Sequence, residues 1–221
     1  AREHAARDAQ PRPAIVTDDL ADAALQVAAW GIDVTDPQAV GHLALLDPPP
    51  PATWQRSVLI LQQLGALQGG RVSDHGARMA ALPLPPRLAH LVLVGAKFGM
   101  PRLACELAVI LGDRDLVVVD RDDPTSDLAL RIRVLRGEDT PRRLRLRPGA
   151  LARARQQVDR LMRGVAARAR DEVDDPEHSG VLVARGWPDR VAQRREGQRG
   201  RFLLAGGRGA TLPDADVLAG E

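Results

Sequence analysis

Apolar residues in this chain recur every three to four positions, and proline or glycine cuts nearly every such run short. Trp54, Val58, Leu61 and Leu64 keep that spacing until Gly65, the pattern of a short amphipathic helix stopped by a residue free to turn left-handed. Thr17 followed by Asp18 and Asp19 predicts another helix start, with Leu20, Ala24, Val27 and Trp30 on one face and Gly31 as the stop. Asp36-Pro37 opens a second short helix carrying Val40, Leu43, Leu45 and Leu46, which the run Pro48 to Pro51 ends. Ala66 to Val72 reads as two short strands around Gly69-Gly70, and Ser73 caps a helix that Pro83 ends.

Such short elements must be packed with what the chain has, which is two Phe, three Trp and no Tyr among 221 residues. A core built from Leu, Val and Ala favours helix packing over a large sandwich, and the length predicts two or three small domains. Beyond Pro86 the pattern is helical, over Leu88 to Val94, Arg102 to Leu111 and Asp127 to Arg136, then along an Arg-rich helix from about Pro148 to Arg170. Asp171 to Gly180 reads as an acidic linker, and Val181 to Val183, Val191 to Gln193 and Arg201 to Leu204 as short strands between Gly-rich turns. Three strands make an incomplete β domain. The expected fold is mainly α with small β elements, and helices followed by a hairpin are the layout of a winged helix as well as of other small α+β units.

Several chemistries are excluded. Cys105 is the only cysteine, so there is no internal disulfide and no multi-cysteine zinc site. No apolar run is long enough for a membrane span and the N-terminus has no signal-peptide core, which predicts a cytoplasmic protein with no membrane partner. A phosphate-binding loop needs a lysine after glycine and before Ser or Thr. Lys97, the only lysine, lies between Ala96 and Phe98, and the acidic magnesium motif of helicases is missing too. Ser73-Asp74-His75 has triad residue types, but neighbours at a helix start cannot converge on one atom, and an N-cap explains Ser73. His42 and His90 sit in apolar helical contexts and read as core or surface histidines. Asp113, Asp115, Asp120, Asp122 and Asp123 lack the spacing and central glycine of a calcium loop. Gly206 to Gly209 reads as a turn between strands, and Cys105, among Leu103, Ala104, Leu107 and Ala108, as an inert core thiol. The expectation is no catalytic residue, no metal site and no cofactor within these residues.

Arginine carries what functional signal remains. A net charge of +2 is too small to imply a nucleic-acid partner by itself, so clustering has to make the argument. One cluster comprises Arg131, Arg133, Arg136, Arg142, Arg143, Arg145, Arg147, Arg153, Arg155, Arg160 and Arg163, where a solvated helix face with local pairing is an equal reading. The second, Arg190, Arg194, Arg195, Arg199 and Arg201, falls on the β segment and supplies the candidate nucleic-acid-binding residues, since a basic strand-and-turn surface can track a phosphodiester backbone.

Several ordered motifs point to one family. Trp30-Gly31, Leu46-Asp47-Pro48-Pro49, Leu61 to Leu67, Val72 to Gly76 and Leu82 to Ala89 resemble, in order and spacing, the region after the motor in DEAH-box helicases. Trp187 to Arg195 and Gly200 to Ala210 resemble the bacterial HrpB branch, departing from it at Phe202, where tyrosine is expected, and at Gly206, where asparagine is. The resemblance covers about residues 14 to 214. It implies a connector over 1–16, a winged helix over 17–85, a ratchet-like helical bundle over 86–172, and over 173–221 a linker and the start of an OB-like domain. It further implies a partner set of single-stranded RNA or DNA and the RecA-like domains of the same parent chain, where ATP and magnesium would bind. Those motor domains are expected upstream of Ala1, with both ends of the sequence cutting a longer polypeptide. A stand-alone winged-helix DNA-binding regulator and a protein-interaction module are the alternatives. The first expects a duplex recognition helix, for which the helix at Ser73 offers only Arg78 and few other base-reading side chains.

Overall fold

The computed structural model describes residues 13–118, 125–138, 144–165 and 174–220, and within them the chain is mainly helical with small antiparallel sheets. It divides into two compact units, Ala1–Pro86 and Arg87–Glu221.

The first unit comprises α1 (Ala14–Thr17), α2 (Ala21–Ala29), α3 (Pro37–Gly41), α4 (Pro51–Gln63), the hairpin β1 (Leu67–Gln68) and β2 (Arg71–Val72), and α5 (Asp74–Ala80). Local chemistry sets most of these boundaries. The Asp36 carboxylate accepts from the Gln38 amide with Pro37 at the first helical position, and the Ser73 hydroxyl accepts from the Gly76 amide while donating to the Gly65 carbonyl. Gly65 and Gly70 take positive φ, +68° and +80°. A Cβ on Gly76 would overlap the Ala66 carbonyl, so glycine is what lets α5 close against the hairpin. Ala24, Leu25, Leu61 and Met79 form the buried centre, and the Trp54 indole donates to the Val34 carbonyl at 2.9 Å.

Three expectations for this unit are corrected. Thr17 closes α1 instead of capping α2, because Asp19, nearer the helix, accepts from the Ala21 amide while Leu20 is buried. Trp30 is 71% exposed, since α2 ends at Ala29 and Gly31, at φ +89°, turns the chain away. Pro51 begins α4, whereas α3 has already ended at Gly41; Leu45 and Leu46 therefore lie past the helix and are exposed.

In the second unit, α7 (Pro101–Gly112) is the central element, buried from Leu103 to Ile110. Around it pack α8 (Leu128–Arg136), α9 (Ala150–Val165) and α10 (Ser179–Gly186). The preceding helix α6 (Pro86–Lys97) meets it at Gly95, where a Cβ would overlap that of Ala104. α9 buries Ala150, Ala154, Val158, Leu161 and Val165 while Arg153, Arg160 and Arg163 stay in solvent, the single apolar stripe its sequence predicts. Residues 166–170, assigned above to the same helix, lie outside the described residues. A two-residue pairing of β3 (Val117–Val118) with β4 (Arg145–Leu146) has no counterpart in the sequence reading.

The expected strand at Val181 to Val183 is a helix. β-branched residues suggested extended chain, but Leu182 is fully buried and Gly186 lies against Arg87 and Leu91 of α6, so one face of a helix has a partner there. Residues 174–178 of the expected linker are structured: the Asp175 carboxylate accepts from the Glu177 amide and starts a 3₁₀ turn, Pro176–His178, that runs into α10. After a second 3₁₀ turn, Pro188–Arg190, the chain forms a three-stranded antiparallel sheet of β5 (Ala192–Arg194), β6 (Arg201–Leu204) and β7 (Gly209–Thr211) in the order β5-β6-β7. Among the described residues no helix is long and apolar enough to cross a membrane.

Candidate nucleic-acid interface

The register of the small sheet sorts the candidate arginines. Arg194 pairs with Phe202 and Phe202 with Ala210, whereas Arg201 pairs with Thr211 and the Arg195 amide donates to the Arg201 carbonyl at 2.9 Å. Because side chains alternate along a strand, Arg195, Arg201 and Thr211 stand side by side on one face with Gln193 and Leu203 in the next row. All five are exposed. The opposite face carries Phe202, Leu204 and Ala210, all half-buried.

Arg195 and Arg201 have no hydrogen-bond or ion-pair partner among the described residues, and like charges directly opposite across a ladder destabilise it unless an anion is shared. Arg194 and Arg199, also exposed, each spend one donor on the fold. The Arg194 guanidinium donates to the Gly220 carbonyl at 2.8 Å and that of Arg199 to the Asp214 carbonyl at 3.1 Å, pinning the 3₁₀ turn Val217–Gly220 to the sheet. Arg190, exposed, closes the 3₁₀ turn at the other end of the β5–β6 pair. The structure thus brings two of the five together. The Gly206 to Gly209 segment is the β6–β7 turn, with Gly207 at φ +79° and its amide bonded to the Leu204 carbonyl.

Of the eleven arginines in the first cluster, five are tied into the fold, while Arg145, Arg153, Arg160 and Arg163 are exposed. Arg131, 7% exposed, forms a bidentate pair with Asp115 and also donates to the Asp127 carbonyl. Arg136 meets Glu106, which is 1% exposed and also accepts from Arg102, and on its other side meets Asp174; Arg133 pairs with Glu177. Burial alone would lower the Arg136 pKa, but hydrogen bonds and charges from Glu106 and Asp174 raise it overall. Arg147 and Arg155 donate to the Asp115 and Leu135 carbonyls, and Arg145 lies exposed on β4. Arg142 and Arg143 lie outside the described residues.

A third fastening uses Arg87, which sequence reasoning did not single out. Its guanidinium donates to the Gly186 carbonyl at 2.9 Å and to the Asp189 carboxylate at 2.7 Å, with the Trp187 ring centre 6.0 Å away. Burial pushes Asp189 upward, but the hydrogen bond and charge of Arg87 outweigh it and hold the carboxyl below its ordinary range.

Phe98 and Arg185 were likewise not singled out. The Arg185 guanidinium lies 5.4 Å from the centre of the Phe98 ring, and both side chains are exposed. The signal available in sequence was Lys97-Phe98-Gly99, an aromatic next to the only lysine at a helix end.

Among the described residues the candidate chemical groups have structural roles. Ser73 is the helix cap, and burial followed by the charge of Glu106 pushes the Cys105 thiol up to about 12. Asp115 is the partner of Arg131, and Asp120, Asp122 and Asp123 lie outside the described residues. Among the described residues no group of three or more His, Cys, Asp or Glu is placed to hold a metal ion. A cavity of about 570 Å³ in the first unit, bounded by Val40, Pro48, Trp54 and Leu59, has no titratable group in its wall.

No protein-family model matches the chain. It is 33% identical over 227 aligned positions to the ATP-dependent RNA helicase HrpB of Escherichia coli (strain K12), an alignment that takes in 99% of this chain and 24% of that protein. Two crystal structures are similar over 99% of the chain and 24% of their own: the E. coli DExH-box NTPase HrpB, with a TM-score of 0.73 and 33% identity, and the Escherichia coli DEAH/RHA helicase HrpB, with a TM-score of 0.75 and 31% identity. The chain therefore spans about a quarter of the length of the relatives it matches, and the order of its motifs, its mainly helical fold and its arginine-bearing terminal sheet have one common explanation. Nearly its whole length is homologous to the C-terminal quarter of the HrpB-type DEAH/RHA helicases.

Proposed function

We propose that this chain is the accessory part of an HrpB-type ATP-dependent RNA helicase that holds single-stranded nucleic acid while RecA-like domains of the parent protein step along it. In this reading the first unit is the winged helix, the helices around α7 are the ratchet-like bundle, and β5 to β7 begin an OB-like domain. ATP and magnesium belong to the RecA-like domains. The observation that carries the reading is the exposed Arg195–Arg201 pair in a chain homologous to these helicases, two like charges side by side with no acid set against them. Guanidinium groups so placed neutralise phosphates without reading bases, which suits a protein that must move along any sequence.

Salt titration of the 221-residue chain with labelled single strands tests this. Affinity is expected to fall linearly with the logarithm of salt concentration, and R195Q/R201Q to flatten the slope by about 0.7 for each phosphate no longer neutralised. Absent or salt-independent binding sinks the channel role. Preference for one duplex sequence points to a winged-helix regulator instead.

A further inference from the structure

We propose that Phe98 and Arg185 form a stacking platform for one unpaired nucleobase, with Lys97 beside it for the adjoining phosphate. The inference rests on the single-strand reading above and adds a base-contacting site on the helical part of the second unit, separate from the phosphate-facing sheet. Phe98 is one of only two phenylalanines, yet it is 47% exposed. Arg185, 5.4 Å from the ring centre, is exposed and has no hydrogen-bond or ion-pair partner among the described residues. Arg87 over Trp187 is the contrasting case, since its donors are spent on Gly186 and Asp189.

The backbone that carries the ring is fixed. It caps α6, with the Gly99 amide bonded to the Ala96 carbonyl and the Met100 amide to the Gly95 carbonyl, the paired bonds of a Schellman turn, while Gly99 takes φ +75° and Met100 is buried. Val181, one turn before Arg185 on α10, is 54% exposed. Lys97 lies exposed in the last turn of α6. A flat π-face with a guanidinium against it and an exposed lysine next in the chain suits a base together with its backbone phosphate. In a duplex the π-faces are covered by neighbouring base pairs, so the ligand is an unpaired nucleotide.

The test compares binding of the full chain to a short labelled oligothymidylate and to an abasic strand of equal length, at one salt concentration, by fluorescence anisotropy. The wild type is expected to favour the base-bearing strand by roughly five- to a hundredfold, the range of a single stacked base. F98A should bring that ratio close to one while leaving abasic-strand affinity unchanged, R185Q should lower it, and F98W should keep it. Circular dichroism establishes whether F98A is folded; if it is not, R185Q and F98W decide. Equal wild-type affinity for the two strands, each still salt-dependent, overturns the platform and leaves the channel role standing. A ratio unaltered in folded F98A, or in R185Q where F98A does not fold, also overturns it. Failure of both strands to bind removes both readings.

Discussion

Gly70 sits at φ +80° in the hairpin of the first unit, and a Cβ there would overlap the side chains of Asp33 and Thr35. Both the backbone and the space require glycine. G70A is expected to cost at least about 1–2 kcal/mol, from the left-handed penalty alone, read as a lowered urea midpoint at unchanged slope. Asp33 is held below its ordinary pKa by hydrogen bonds from the Thr35 hydroxyl and amide, so the same loop is braced by a local turn. Cys105 makes the opposite prediction, of inertness. With the thiol buried and pushed up to about 12, iodoacetamide at neutral pH should leave the native protein unlabelled and modify it only in denaturant. Rapid labelling of native protein would show that α7 opens. These residue-scale features were legible in part. The glycine pair and the apolar neighbours of Cys105 are local in sequence, whereas the side chains that meet Gly70 come from more than thirty positions upstream.

At the scale of elements, the helix-to-sheet connection of the second unit is fastened by arginines. Arg133 and Arg136 hold Glu177 and Asp174, and Arg87 holds Gly186 and Asp189. The folded-state pKa of Asp189 is below its ordinary 3.8. Its contribution to stability is therefore complete above that ordinary value and lost as pH falls through the lower, folded one. Acid unfolding of the second unit should accordingly be less steep in D189N than in the wild type, as followed by Trp fluorescence. Arg194 and Arg199, tied to the Gly220 and Asp214 carbonyls, should behave differently from Arg195 and Arg201. Their glutamine variants are expected to raise amide exchange in residues 214–220 while leaving the salt slope of strand binding nearly intact. Periodicity could not have made this division. Adjacent arginines look alike in sequence, and only strand register puts one on the face shared with Phe202 and the next on the opposite face. The same limit explains α10, where Val181, Leu182 and Val183 suggest a strand until the groove beside Gly186 and Gly95 is known to receive a helix.

For the molecule as a whole, each unit has its own buried core, centred on residues such as Leu61 in the first and Leu103 in the second. L61A and L103A are each expected to cost about 2–5 kcal/mol, with segment-resolved hydrogen exchange reporting L61A within residues 13–86 and L103A within the second unit. A sequence shaped by short, punctuated amphipathic segments makes the helical class readable, because helix caps and stripes are local. The β3–β4 pairing and the ion pairs across α7 and α8 depend on chain brought together from far apart, for which no pattern of spacing stands in. The fastening of the terminal sheet has a further consequence. The side chains Arg87, Arg194 and Arg199 that fasten it are guanidinium groups, which keep their charge at any pH a cell meets and offer no amine to an acetyltransferase, so lysine-directed modification has no purchase on them.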